Sequence, residues 1–270
     1  AYSALNLSGK IYEPIIDQQW LKSGGQMPNW PDGKPFAVCL THDVDIVSKY
    51  GARQNLRRIS KLIRTASERP LFSTIRMIVE AKLTLLKSLL GSKDDLCKFE
   101  EWMRIEASHG AKSTFFFAPE NVGSVHGSDC EYNYSQTVQW SDQRIPVAEL
   151  MRIMDQKGWE IGLHPSWHSH NNLQEMTSQK SQIEQVLGHS IQSVRQHFLK
   201  FDPEKTPRIQ EQAGFLYDST LGFNDNVGFR RGTSYPYPLF DLEHQQKLNL
   251  FEVPLIVQDG ALLLADKGLR

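Results

Sequence analysis

Short apolar runs alternate with amphipathic stretches along this 270-residue chain. The run Phe36-Ala37-Val38-Cys39-Leu40 is continuous and bounded by polar residues, the pattern of a strand buried on both faces. Residues 113–117, 158–163, 191–195, 215–220 and 249–256 predict further strands. Between them, helical patterns cover residues 46–66, 71–90, 94–109, 146–157, 173–187 and 203–213. Residues 118–144 read as loop, and the turn formers of residues 1–35 (Gly24-Gly25, Pro28, Pro31, Gly33, Pro35) read as an irregular leader. Strands alternating with helices predict a mostly parallel sheet or barrel with helices outside. In such folds the functional residues gather at the carboxyl ends of the strands.

Composition narrows the function classes. Hydrophobic residues make up 40% and charged residues 23%, the balance of a globular protein with a sizeable core. A formal net charge of -1 supplies no global field for nucleic acid. Arg53, Arg57, Arg58, Lys61 and Arg64 therefore read as a solvated helix face. No apolar run reaches transmembrane length, since residues 75–90 are interrupted by Arg76, Glu80, Lys82 and Lys87. Cys39, Cys97 and Cys130 form no CxxC pair, so neither a disulfide scaffold nor a cysteine zinc site is expected, and Cys39 reads as a packed core thiol. This cysteine usage and the lack of a signal segment favour the cytoplasm.

Two polar clusters follow predicted strands at once. Thr41-His42-Asp43-Val44-Asp45 comes after the first, and His164-Pro165-Ser166-Trp167-His168 after residues 158–163. Histidines at i and i+4 share one face of a helical turn and can grip one ion. One carboxylate from Asp43 or Asp45 completes a His, His, Asp set, which leaves the other as a general base toward water. Either cluster alone is a weak signal. Their occurrence at successive strand ends points to hydrolytic metal chemistry.

Together these motifs resemble those of the polysaccharide deacetylase family, also called NodB-homology or carbohydrate esterase family 4. Asp43 and Asp45 are similar to its first motif, with the second Asp one residue late, and His164 and His168 to its second. Arg195, in Val194-Arg195-Gln196-His197-Phe198, resembles the arginine of the third motif, and Asp218-Ser219-Thr220 the fourth. The usual proline of the third motif and tryptophan of the fourth are missing. The resemblance implies a deformed (β/α) barrel over residues 36–270, with a helical insertion over 46–110 after the first strand. It implies a carbohydrate substrate, the N- or O-acetylated sugar of a polysaccharide or its precursor. It also implies a divalent metal, zinc above all, with cobalt, nickel or manganese as alternatives.

By the same resemblance Asp43 is the catalytic base, Arg195 steadies it, and Asp45, His164 and His168 hold the metal. An arginine beside a carboxylate favours its charged form and fixes its orientation. His42, Trp167, His197, Asp218 and Arg230 are the candidates for the substrate side, Arg230 lying in the aromatic and basic loop Gly228-Phe229-Arg230-Arg231-Gly232-Thr233. The family's fifth motif, a Leu-x-x-His sequence that supplies the general acid, is not met, because the last histidine is His244. The expectation is that the chain continues beyond Arg270. A metal-dependent hydrolase of a non-sugar amide, or a catalytically impaired carbohydrate-binding relative, are the alternatives.

Overall fold

The structure is a computed structural model that describes residues 9–48, 60, 63, 71–89, 98–120, 129–130 and 132–266. Seven strands form one sheet in the order β1 (Thr41–Val44), β2 (Thr114–Phe117), β5 (Glu160–Leu163), β6 (Ser193–Val194), β7 (Tyr217–Asp218), β9 (Gln246–Glu252) and β8 (Tyr237–Asp241). All neighbours run parallel except β8, which is antiparallel to β9. Helices α4 (Val147–Gln156), α5 (Leu173–Leu187) and α6 (Thr206–Gln212) connect the central strands. The expected mixed α/β architecture with a mostly parallel sheet is present. A closed barrel is not, because among the described residues β1 and β8 are the two edges of an open sheet.

Local sequence explains the helices. Val147, Leu150, Met151 and Met154 recur at helical spacing and form the buried face of α4. Asn172 caps α5 by accepting from the Glu175 N–H, and Gly188 ends it in the left-handed conformation, φ 81°. The aromatic strand β2 supplies the centre of the core, with Phe115, Phe116 and Phe117 at most 2% exposed. Gly162 in β5 lets the sheet close there, since a Cβ would lie 2.6 Å from both Phe116 Cδ1 and Ser193 Oγ.

Several expectations are corrected. The first strand is not 36–40 but Thr41–Val44, the polar motif itself. Its ladder starts where the Thr114 N–H donates to the Leu40 carbonyl, and Phe36 and Val38 before it are 69% and 70% exposed. Cys39 is accordingly exposed and not a core thiol. Residues 118–144, expected to be loop, contain β3 (Thr137–Trp140) and the start of β4 (Gln143–Pro146), an antiparallel hairpin. Strand β8 also lies in a segment not assigned to any element.

The leader contains α1 (Ile15–Lys22), whose Asp17 accepts from Thr233 Oγ1, Ser234 N and Ser234 Oγ at 2.5–2.9 Å. Within 46–110, α2 (Leu71–Leu89) and α3 (Phe99–Ser108) are helical. The basic stretch of 46–66 and the Asp94-Asp95 helix start lie largely or wholly outside the described residues. Among the described residues no helix is long and apolar enough to cross a membrane.

Candidate active site

The carboxyl ends of β1, β5 and β6 converge, and each contributes to one cluster. Asp43 lies one residue before the end of β1, Asp45 follows the strand, His164 follows β5, and Arg195 and His197 follow β6. Placement at strand ends is what a parallel sheet offers to polar side chains, because the core lies below and the connecting loops above.

Arg195 is the hub. Only 3% exposed, it donates from Nη1 to Asp43 Oδ1 at 3.1 Å and to Thr41 Oγ1 at 2.7 Å. Its Nε and Nη2 donate to the carbonyl and hydroxyl oxygens of Ser219 at 2.9 and 2.8 Å. The fork is thus filled on three nitrogens, which fixes the orientation of Asp43. Its main-chain carbonyl also faces His164 Nδ1 at 2.7 Å. One residue therefore orients both the carboxylate and the imidazole.

That last contact sets the chemistry of His164. A carbonyl can only accept, so Nδ1 carries a proton and Nε2 points the other way. Nε2 lies 3.2 Å from Asp45 Oδ1 and 3.0 Å from His197 Nδ1, and His197 Nδ1 is 3.7 Å from Asp45 Oδ1. Cys130 Sγ completes the group at 3.6 Å from Asp45 Oδ1 and 3.9 Å from His197 Nδ1. Burial disfavours charge on His164, but Asp43 and Asp45 overcome it and raise its pKa. Burial likewise raises Asp45, and the hydrogen bond and charge of His164 outweigh it, so the Asp45 pKa is lowered. Two donor nitrogens and a carboxylate oxygen facing one point, with the backbone holding the distal nitrogen of His164, is a donor set that suits a divalent cation.

A cleft of about 520 Å³ opens at Asp43, Asp45 and Arg195, and its lining also includes Thr41, Leu255, Gln258 and Asp259. His42 and Trp102 complete its wall. The His42 ring is also packed, stacked on Phe115 at 4.5 Å and Trp102 at 5.5 Å, with Nε2 2.6 Å from Glu106 Oε1.

The other expected residues are placed as follows. His168 is exposed at the start of the short turn Ser169–Asn171 and is not among the residues gathered about Asp45, which are His164, His197 and Cys130. The Trp167 ring packs on Phe198 at 5.6 Å with Lys200 Nζ 3.9 Å from its centre. Arg230 is half-buried and donates to the Gly222 carbonyl at 2.7 Å.

Asp218 does not face the cleft. It is fully buried at the register position of Glu252 on β9, itself fully buried. Burial pushes the Asp218 carboxyl up to about 6, and burial with the adjacent Asp218 charge pushes Glu252 well above the carboxylate range. The folded pair retains a proton that the unfolded chain releases, so stability is full below about pH 4 and falls as pH rises toward 6 and beyond. Glu252→Gln, which donates without needing that proton, is expected to flatten this decline. At pH 8 it should unfold with a free energy on the order of 1–3 kcal/mol above wild type. Urea unfolding at pH 4.5 and pH 8 checks it, and a variant less stable at both would refute the shared proton.

No family model matches the chain, and no curated protein sequence matches it significantly. Among solved structures, it is similar to a protein of Mycobacterium smegmatis provisionally named a polysaccharide deacetylase, at 22% identity and TM-score 0.47, over 84% of this chain and 61% of that one. It is also similar to the deacetylase PplD of Streptococcus pyogenes in complex with acetate, at 11% identity and TM-score 0.35, over 62% of this chain and 63% of that one. IcaB from Ammonifex degensii matches at 15% identity and TM-score 0.34, over 48% of this chain and 57% of that one. The chain thus spans about three fifths of the length of these solved proteins.

Proposed function

We propose that this protein is a metal-dependent hydrolase that removes the acetyl group from an N-acetylated sugar of a polysaccharide or its precursor. The observation that carries the reading is His164, with Nδ1 held on the Arg195 carbonyl and Nε2 turned toward Asp45, beside an arginine-clamped Asp43. Asp45, His164 and His168 are the proposed ligands, His168 on the strength of the sequence motif. A bound divalent cation, zinc foremost, would supply Lewis acidity and lower the pKa of water at the site. Asp43 accepts the proton of the attacking water as its oxygen bonds to the acetyl carbon. Arg195 keeps Asp43 aimed, and backbone N–H groups near the cation would help stabilise the tetrahedral oxyanion. The carbon–nitrogen bond then breaks as the nitrogen takes up a proton, from Asp43 or from solvent, to give acetate and the free amine. Leu255, Gln258 and Asp259 form the cleft wall against which the sugar would lie.

Elemental analysis and a deacetylation assay on N-acetylglucosamine oligomers test this. Wild type is expected to hold about one equivalent of zinc and to release acetate, and chelation to abolish release. Asp45→Ala, His164→Ala and His168→Ala should each fall well below one equivalent. A His168→Ala protein that keeps a full equivalent moves the third position to His197. A wild-type chain without bound metal overturns the reading.

A further inference from the structure

We propose that Cys130 is a thiolate ligand of the cation in this site, beside Asp45 and the neighbouring histidines and with a position left open for water; the inference rests on the metal-dependent reading above. Ligands arranged tetrahedrally at bond lengths of about 2.0–2.3 Å lie roughly 3.3–3.6 Å from one another. The atoms gathered about Asp45 come near that spacing. Asp45 Oδ1, His164 Nε2 and His197 Nδ1 are 3.0–3.7 Å apart, and Cys130 Sγ stands 3.6 Å from Asp45 Oδ1 and 3.9 Å from His197 Nδ1. The ligand atoms of Asp45, Cys130 and His197 all lie within 4.8 Å of one another.

The thiol is also held there. Asp129, its neighbour, is 5% exposed and accepts from the Trp167 N–H at 2.7 Å, which ties the cysteine to the turn between His164 and His168. On the other side, Tyr132 is buried and its hydroxyl accepts from the Ala118 N–H at 2.7 Å, at the end of β2. Cys130 is itself 7% exposed. A thiol placed only to fill the core would have apolar neighbours, whereas this one faces a carboxylate and an imidazole. On binding, the S–H bond breaks, the sulfur–metal bond forms and the proton leaves to solvent; a coordinating thiol is deprotonated outright. A sulfur ligand tilts the site toward zinc and cobalt and away from manganese or magnesium, which prefer oxygen.

The test is cobalt substitution of the whole chain, with metal content and absorption read together. Wild type with one equivalent of Co²⁺ is expected to show a sulfur-to-cobalt charge-transfer band in the near ultraviolet. Cys130→Ser should lose the band while keeping the visible ligand-field bands, and should bind zinc on the order of tenfold or more weakly in a chelator competition. Cobalt bound at one equivalent without the charge-transfer band overturns the thiolate assignment and leaves the hydrolase reading standing. Failure to bind cobalt or zinc at all overturns both. Because the decisive band is read on wild type, the result does not depend on how the variant folds.

Discussion

Asp43→Asn is expected to lower kcat/KM for acetate release by about 10²–10⁴-fold while leaving bound metal at the wild-type level. The size follows from what a positioned general base contributes. The retained metal follows from geometry, since Asp45 and not Asp43 lies against His164, Oδ1 to Nε2 at 3.2 Å. Asp43 Oδ1 accepts from Arg195 Nη1 at 3.1 Å, and the side chain is 26% exposed and lines the cleft, which leaves its second oxygen free of that bond to receive a proton. Asparagine keeps the acceptor for Arg195 and nearly the same shape, but its amide nitrogen accepts no proton. The fold and the Arg195 clamp should therefore survive, which a thermal midpoint within a few degrees of wild type would show. Activity within threefold of wild type would remove Asp43 from the chemistry. Loss of metal together with activity would instead make it a ligand.

How much of this was legible in the sequence depends on the range of the physics. Helix α5, bounded by Asn172 and Gly188, and α4, with its stripe of Val147, Leu150, Met151 and Met154, follow from local spacing and capping, and both occur as predicted within a residue. The first strand was misplaced because hydrophobicity pointed to 36–40, whereas pairing with β2 selects 41–44 and leaves Phe36 and Val38 in solvent. Tertiary pairing overrode the apolar run. The β3–β4 hairpin carries little sequence signal because each strand has four residues and a largely polar or half-exposed face.

The site divides in the same way. The pairing of Arg195 with Asp43 was expected from the motifs, and the two are in contact. His197 was expected on the substrate side and stands beside His164 instead; it lies two residues beyond Arg195, a spacing that returns a side chain to the same side of an extended segment. That parity was the available signal. Cys130 had none. It reaches Asp45 across 85 positions of chain from a segment with no motif, and the docking of Asp129 on Trp167 and of Tyr132 on Ala118 holds it there. Glu252 was read as one more residue of a strand, although a carboxylate inside an otherwise apolar strand, at the register of Asp218, is itself a sign of a buried polar pair.

Arg195→Ala is expected to cost about 3–5 kcal/mol of stability, the loss typical when one side of a buried charge network is removed. Against a total of roughly 5–15 kcal/mol this is a large fraction, and it should lower the Tm by roughly 6–20 °C. The guanidinium is 3% exposed and serves four acceptors, Thr41 Oγ1, Asp43 Oδ1, and the Ser219 carbonyl and hydroxyl oxygens. Its charge also opposes the cost of burying Asp218 and Glu252 behind it, and its face lies 4.7 Å from the Phe116 ring. Alanine leaves those oxygens short of donors and opens space beside Phe116. Lysine restores the charge but not the planar fork, so Arg195→Lys should recover part of the Tm and little of the activity, since Asp43 and Ser219 cannot both be held by one ammonium at the same angles. Calorimetry of both variants beside the acetate-release assay reads the two roles separately. An Arg195→Ala protein that melts with wild type would mean that β1 and β7 are not joined through this residue, and an Arg195→Lys protein with full activity would mean that the aim of Asp43 is set by something else.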